Sequence, residues 1–401
     1  MADYKSSSET EQRSSRRKKQ KSKETLPFGC SSRFAAGAVF CVIACAAVFF
    51  AMKWDKLSPK GIAEWFDFSD SKQESFVGQI SGTAVSERNF HSVDRGLIYV
   101  SNTSIVRLSH DGEKAYSFQH NFTNPMIKTS NTKSIAFNEG GSSFRILSAQ
   151  GEVHRGVQGT AITDCDVNDS GFYCIISDQM GYLSKLSVYN SLNEYIYGFS
   201  FNDYYAVSVS LSEDGTMAAV GTVNTVDGQL ISKIYLLSFT ESEPLNIYTY
   251  KDSIVYEVKF IEEDRFVVVT DSLVSVVECG SGKELPYSYD NRVLTAYDVS
   301  FDENIVLSLS RSNDERDCMI VTLDKKGNEI SSFSTDMKIF SIDVKNDKIA
   351  VLASNMLYQY NAYGDSFGSW EIGTDAKSVI LPQEKTAYIL GVSEIRKISL
   401  K

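Results

Sequence analysis

Three oxygen-bearing side chains at alternate positions, Asp164, Asp166 and Asn168, have the spacing that opens a calcium-binding loop. Such a loop also needs glycine at its sixth position for a sharp turn and a bidentate glutamate at its twelfth. Here the sixth residue is Asp169 and the twelfth is Ile175, so the loop cannot close around an ion in that form. The sequence therefore predicts no metal site here, and the triplet is interpreted as a polar strand that enters a turn.

The four histidines are the other candidates for metal or proton chemistry. None has the spacing of a metal ligand set, and they are His91, His110, His120 and His154. The chain contains neither a phosphate-binding Gly-Lys-Ser/Thr loop nor a Gly-x-Ser-x-Gly nucleophile elbow. We therefore predict no catalytic residue, no cofactor and no resident metal, and an enzymatic role stays open.

Cys165 and Cys174 are the cysteines whose positions suggest a contact. They lie symmetrically about Asp169 and Ser170, so a hairpin with a two-residue turn there would place them opposite each other. Cross-strand Cβ atoms are about 4.5–5.5 Å apart, which is slightly long for a disulfide. A Cys165–Cys174 disulfide and a pair of buried thiols are the two alternatives.

An apolar segment precedes all of these residues. Residues 34–52 carry no charge, and the segment is bounded by Arg33 and Lys53. A helix of this length spans about 28 Å, close to the thickness of the hydrocarbon layer of a membrane. The basic cluster at residues 16–23 lies just before it, which predicts a cytoplasmic N-terminus and an exported C-terminus.

These patterns divide the chain into four parts. We predict a basic, disordered cytoplasmic tail at 1–33, a transmembrane signal-anchor helix at 34–53, a stalk at 54–72 and a folded extracytoplasmic domain at 73–401. A lipoprotein cleavage box ending at Cys45, or signal peptidase cleavage near Ala46, would cut inside the apolar run, so an uncleaved anchor is favoured.

The charge of the chain is divided unevenly between these parts. The net charge is −11 overall, but residues 1–33 sum to +5 and residues 54–401 to −17. An acidic domain repels the phosphates of nucleic acid, so a nucleic-acid partner is not expected. The bilayer, contacted through residues 34–53, is the first predicted partner.

A strand–turn–strand unit recurs through the outer domain. Its strands are rich in Val, Ile, Ala and Tyr, and its turns are centred on Arg95, Thr132, Ser170, Asp214, Glu263, Glu303, Asn346 and Gln383. The mean spacing of about 41 residues is that of a four-stranded propeller blade. We predict an all-β fold, a β-propeller of about eight four-stranded blades, or seven if the two weak copies near Ser92 and Thr129 merge.

A second turn, marked by glycine, follows in most units. Examples are Gly112, Gly151, Gly282, Gly327 and Gly364, where a tight hairpin needs a positive φ. The last unit is too short for four strands. We expect the β-like segment at 73–83 to supply the missing strand and to close the ring.

The basic tail, signal-anchor and irregular propeller together resemble an uncharacterised family of membrane-anchored proteins of clostridia and related Firmicutes, a domain of unknown function. The segment Gly280–Leu285 is also similar to the turn of pyrroloquinoline-quinone-type repeats, but Pro286 and Tyr287 stand where those repeats have tryptophan. The resemblance implies a propeller, and no catalytic residue carries over.

A propeller presents loop-built faces and a central channel, which suit binding. The leading hypothesis is a membrane-tethered extracytoplasmic binding or scaffold module of the cell envelope, with an envelope protein or a glycan as partner. The alternative is an envelope hydrolase or lyase whose carboxylates are gathered from several blades.

Overall fold

The computed structural model describes residues 74–301, 303–311 and 316–400. The predicted tail, the predicted transmembrane helix at 34–53 and the predicted stalk at 54–72 lie outside these ranges. Among the described residues, no helix has the length and apolar character needed to cross a membrane.

The described residues form eight four-stranded antiparallel sheets, the blades of a propeller. Blades 1 to 4 consist of β2 Val85–Val93, β3 Gly96–Ser101, β4 Ser104–Leu108, β5 Lys114–Gln119; β6 Pro125–Thr129, β7 Ser134–Asn138, β8 Ser143–Ser148, β9 Gly151–Val157; β10 Ile162–Val167, β11 Tyr173–Gln179, β12 Tyr182–Tyr189, β13 Tyr195–Phe201; and β14 Tyr205–Leu211, β15 Met217–Val226, β16 Gln229–Ser238, β17 Asn246–Lys251.

Blades 5 to 8 follow in the same order. They consist of β18 Val255–Glu262, β19 Arg265–Thr270, β20 Leu273–Glu278, β21 Glu284–Ser288; β22 Val293–Asp298, β23 Ile305–Ser310, β24 Cys318–Leu323, β25 Glu329–Thr335; β26 Ile339–Lys345, β27 Lys348–Ala353, β28 Met356–Asn361, β29 Ser366–Glu371; and β30 Ser378–Gln383, β31 Thr386–Leu390, β32 Glu394–Ser399 with β1 Glu74–Gln79. The prediction of an all-β propeller with eight four-stranded blades is confirmed.

Blade 8 is assembled from both ends of the folded domain. Strand β1 pairs antiparallel with β32, from Glu74 opposite Ile398 to Gln79 opposite Glu394. The backbone N–H of Ile80 then donates to the carbonyl of Ser393 at 3.0 Å. Strand β32 therefore has no free edge, and the two ends of the domain are held in one sheet.

The strand sequences follow from their positions in a blade. The second strands of the blades pack against neighbouring blades on both faces, so they are mainly apolar, as in β3 and β23, which are buried throughout. The fourth strand faces solvent on one side, and β5 alternates accordingly. Apolar clusters between blades form the core; one joins Phe90 and Tyr99 of blade 1 to Tyr388 and Ile395 of blade 8.

The predicted turns coincide with observed connections. Seven of the eight predicted centres lie between the first and second strands of a blade, and Gln383 is the last residue of β30. Asp94 and Arg95 both have positive φ, as a two-residue hairpin requires. Gly282 and Gly327, with φ of 67° and 87°, lie between third and fourth strands as predicted.

Candidate functional site

The first strand of every blade lines one central cavity. Its volume is about 730 Å³, within the range of small-molecule sites. All eight blades contribute to its wall, and its charged lining includes Lys128, Asp166, Glu257, Lys259, Asp298 and Asp343. The cavity therefore brings acidic and basic side chains of several blades together.

A β-bulge recurs near the start of these inner strands. In blades 3 to 7 the pairing with the second strand skips one residue, and the skipped residues are Thr163, Val207, Tyr256, Thr295 and Phe340. A bulge leaves one residue unpaired and re-aims its side chain. Tyr256 and Phe340 are consequently 52% and 39% exposed while lining the cavity.

Short polar side chains connect each inner strand to the next blade. Asp164 Oδ2 accepts the backbone N–H of Val209 at 2.9 Å, and Asp166 Oδ2 accepts that of Leu211 at 2.8 Å. Inner strands of different blades do not pair as one sheet, so these buried N–H groups need side-chain acceptors. The two aspartates therefore satisfy the backbone of blade 4.

The same arrangement recurs around the ring. Ser208 and Ser210 accept N–H groups of blade 5 at 3.1 Å each, and Asp298 accepts that of Val344 at 2.9 Å. We call the full set the inter-blade acceptors: Asn89, Asp164, Asp166, Ser208, Ser210, Asp298, Ser341 and Asp343. Most of the carboxylates near the cavity thus have a structural task.

The lysines of the cavity are each paired with a carboxylate. Lys128 Nζ lies 2.6 Å from Asp164 Oδ2 and donates to the carbonyl of Val209 at 3.2 Å. Burial disfavours the ammonium of Lys128, but the neighbouring acids, led by Asp164, outweigh it and raise its pKa. Burial acts oppositely on Asp164, raising its pKa, yet its oxygen accepts from two donors, as expected of a carboxylate.

Two further pairs complete this charge balance. Lys259 Nζ lies 3.7 Å from Asp166 Oδ1, which joins blade 5 to blade 3. Lys345 Nζ lies 2.9 Å from Glu303 Oε1, which joins blade 7 to blade 6. The cavity wall therefore carries charges of both signs rather than a field of one sign.

His91 is the one predicted histidine that lines the cavity. Its Nε2 lies 2.8 Å from the carbonyl oxygen of Arg88, so Nε2 carries the proton and Nδ1 is left as an acceptor. Burial lowers the pKa of His91, which favours the neutral ring at pH 7. Across the cavity, the hydroxyl of Tyr297 donates to Glu257 Oε2 at 2.9 Å.

The remaining histidines have structural surroundings. His120 is buried, with Nε2 2.9 Å from the carbonyl of Ser101 and Nδ1 accepting the N–H of Phe122. His110 lies in a turn, and its backbone carbonyl oxygen accepts a hydrogen bond from Lys397 Nζ of blade 8. The ring of His154 lies beside Phe144.

The calcium-like triplet is part of the inter-blade contacts. Asn168 donates to the carbonyls of Ser212 and Glu213 at 3.1 Å each, and its Oδ1 accepts the N–H of Phe172. Asp164 and Asp166 are inter-blade acceptors. Within the ranges that the structure covers, no group of three or more His, Cys, Asp or Glu residues is placed to hold a metal.

The predicted facing of Cys165 and Cys174 is wrong. Cys165 is opposite Ile175, and Cys174 is opposite Asp166. The turn is one residue longer than expected, so the cysteines point to opposite faces of blade 3 and join different core clusters. Both are buried free thiols, and no Cys165–Cys174 disulfide forms.

Sequence reasoning missed the inter-blade acceptors, although a signal was present. Asp166, Ser210 and Asp343 occupy equivalent positions in three copies of the repeat, each at the start of its aligned segment. A second short polar residue precedes each of them by two positions. Pairs of this kind on otherwise apolar strands indicate side chains that serve a neighbouring backbone.

The carboxyl of Asp298 makes stability depend on pH. Burial, reinforced by Glu303 and Glu257, outweighs its hydrogen bonds and raises the pKa of Asp298 to about 7. The unfolded chain loses this proton near pH 3.9, so the folded state binds the extra proton between about pH 4 and 7. The contribution of Asp298 to stability therefore falls as the pH rises through this window.

We expect D298N to flatten this dependence. Because asparagine cannot ionise but still accepts the N–H of Val344, the variant should lose about 1–2 kcal/mol less stability than the wild type between pH 5 and 7.5. Urea unfolding at the two pH values measures this. D317N, at a half-exposed aspartate of the same blade, is the control. Equal slopes for D298N and wild type would contradict the assignment.

Together these features define the class of the protein as an eight-bladed β-propeller with a polar central cavity. The C-terminal WD40 domain of Sif2 shares the fold with 12% identity and a TM-score of 0.57, covering 80% of this chain and all of that chain. BamB from Moraxella catarrhalis shares it with 10% identity and a TM-score of 0.51, covering 82% and 100%. At these identities the likeness shows the fold alone.

The chain belongs to DUF5711, a family of unknown function, whose model matches residues 70–400. Two parts of the expected resemblance are confirmed: the β-propeller fold and the membership in a family of unknown function. No curated protein matches the chain.

Proposed function

We propose that this protein is a binding module of the cell envelope and has no catalytic activity of its own. The observation that carries the proposal is the wall of the central cavity. All eight blades contribute to it, and most of its carboxylates are held by backbone N–H groups or lysines. Groups that hold the blades together are poorly suited to exchange protons with a substrate.

The proposal includes a location. The apolar run at 34–53 would anchor the protein, and the basic cluster before it would keep the N-terminus in the cytoplasm. The propeller would then face the envelope, where a protein or a glycan is the available kind of partner. No nucleic acid is expected on a domain of this acidity.

Lysine labelling in intact cells tests the topology. A membrane-impermeant amine reagent should modify Lys326 and Lys385, which are exposed on the propeller, while the lysines at 18–23 react only after permeabilisation. Mass spectrometry locates the modified residues. Labelling of the tail alone in intact cells would reverse the proposed orientation.

In-cell crosslinking of the tagged full-length chain then tests the binding function. Reproducible crosslinks from one propeller face to an envelope component would support it. If the chain yields no protein crosslink and binds no envelope glycan, the binding role fails.

One observation favours the alternative, an envelope hydrolase or lyase. His91 of blade 1 and Glu257 of blade 5 reach the same cavity, as a site gathered from separate blades would require. If the protein shortens an envelope glycan during incubation and the E257Q variant does not, the hydrolase or lyase hypothesis is favoured.

A further inference from the structure

An acceptor atom in the cavity wall is left without a hydrogen-bond donor. The side chain of Asp166 is only 3% exposed, and its Oδ2 is occupied by Leu211 and Ser210. Its Oδ1 is buried and has no hydrogen-bond partner among the described residues, with Lys259 Nζ 3.7 Å away. A buried carboxylate oxygen without a donor is unfavourable, so a ligand in the cavity that donates a hydrogen bond to it would be stabilised.

The cavity wall offers both hydrogen-bond donors and acceptors. Lys259 Nζ is a donor, whereas Asp166 Oδ1 and His91 Nδ1 are acceptors, and all three residues line the cavity. Seven carboxylates line the wall against five basic side chains, so the wall offers no excess positive charge for a phosphate. The five basic residues are Arg88, Arg95, Lys128, Lys259 and Lys345. A hydroxyl group donates and accepts at once, so a hydroxyl-rich uncharged ligand matches this wall best.

Two aromatic side chains, Tyr256 and Phe340, also line the cavity. The bulges at Tyr256 and Phe340 expose these side chains at the beginning of their strands. Tyr256 lies three residues before Lys259 on β18. A flat ring offers an apolar face to the C–H side of a sugar ring, while the sugar hydroxyls reach polar groups at its edge. The Phe340 ring also has Lys338 Nζ at 5.5 Å, so Tyr256 is the more open of the two.

A peptide fits the same cavity less well. An extended peptide binds most readily by pairing with free N–H and C=O groups of a strand. Several N–H groups of the inner strands, such as those of Val209, Leu211 and Val258, are already taken by the inter-blade acceptors. The wall therefore favours recognition through side chains.

We propose that the central cavity binds the end of a neutral glycan, with Asp166 and Lys259 as hydrogen-bonding groups and Tyr256 as the stacking surface. The inference rests on the proposed binding function and names its ligand class. A cavity of about 730 Å³ accommodates a short oligosaccharide end.

Titration calorimetry on the full-length protein in lipid nanodiscs tests this. The probes are linear tetrasaccharides of glucose, mannose, galactose and N-acetylglucosamine, each taken to low-millimolar concentration. At least one should bind, and Y256A and D166N should each weaken that binding by about tenfold or more. Asparagine keeps one acceptor for Leu211 but turns the other atom into a donor, which opposes the sugar hydroxyl.

Y363A is the matched control. Tyr363 is 74% exposed in a turn of blade 7 and does not line the cavity, so its loss should change affinity less than about twofold. Circular dichroism checks that each variant is folded, and Y256A keeps the test valid if D166N unfolds.

Three results would overturn the inference: no binding by any of the four sugars, binding that neither Y256A nor D166N weakens, or equal weakening by Y363A. A crosslinked protein partner together with no sugar binding would leave the proposed binding function intact and refute only the glycan assignment. Cleavage of the bound sugar would support the glycan site and replace the non-catalytic role by the enzymatic alternative.

Discussion

A fragment that begins at residue 81 is expected to lose most of its stability, whereas the fragment 72–401 retains it. The first lacks β1, which pairs with β32 through five residue pairs. Because each lost hydrogen bond costs about 0.5–1.5 kcal/mol, the free energy of unfolding should fall by on the order of 5 kcal/mol. That is a large share of the about 5–15 kcal/mol that stabilises a typical domain.

Urea unfolding followed by circular dichroism compares the two fragments, and light scattering detects aggregation through the newly exposed edge of β32. A synthetic peptide of residues 72–82 should restore stability when it is added, because it can re-form the missing strand. Equal stability of the two fragments, or no effect of the peptide, would show that the pairing of β1 with β32 does not hold the ring together.

The blade count was predictable because its signals are local. Most blades carry two turns whose residues tolerate a positive φ, such as Asp94 with Arg95 in blade 1 and, later in the same blade, Gly112. A recurring pair of turns defines the repeat length without any knowledge of how the blades pack. The repeat length in turn implies a propeller.

The contacts across blade 3 depended on one residue of turn length. The prediction placed a two-residue turn at Asp169 and Ser170, but the strands are joined from Val167 to Tyr173. A register shift of one residue sends a side chain to the opposite face of a strand. Cys165 and Cys174 are therefore not paired across the hairpin. Both are buried free thiols, as the alternative to a disulfide predicted.

The partners of the side chains near the cavity could not be predicted from the sequence for a different reason. The acceptor Asp164 and its donor Val209 lie 45 positions apart and meet only through the packing of two blades. The exposure of Tyr256 results from a β-bulge, and no residue pattern within its strand predicts that bulge. Both features depend on the register between neighbouring strands and on the packing of neighbouring blades, which form only when the ring is assembled.

K128M is expected to lower the free energy of unfolding by about 3–5 kcal/mol, because it leaves a buried charge without its partner. Asp164 is 9% exposed at its side chain, and Lys128 Nζ lies 2.6 Å from its Oδ2. Without the ammonium, only the N–H of Val209 faces that oxygen. Urea unfolding of the fragment 72–401 measures the loss, and K114M, at an exposed lysine of β5, should change stability by no more than about 0.5 kcal/mol.

The double variant K128M/D164N separates a lost charge pair from lost packing. Asparagine still accepts the N–H of Val209 but carries no charge, so the double variant should recover most of the stability that K128M loses. If D164N brings no recovery, the cost of K128M lies in the methylene packing of Lys128 or in its bond to the carbonyl of Val209. If K128M itself costs less than about 1 kcal/mol, the carboxyl of Asp164 is protonated in the folded state and the pair is not ionic. The cycle thus decides whether blades 2, 3 and 4 are joined through charge or through neutral hydrogen bonds.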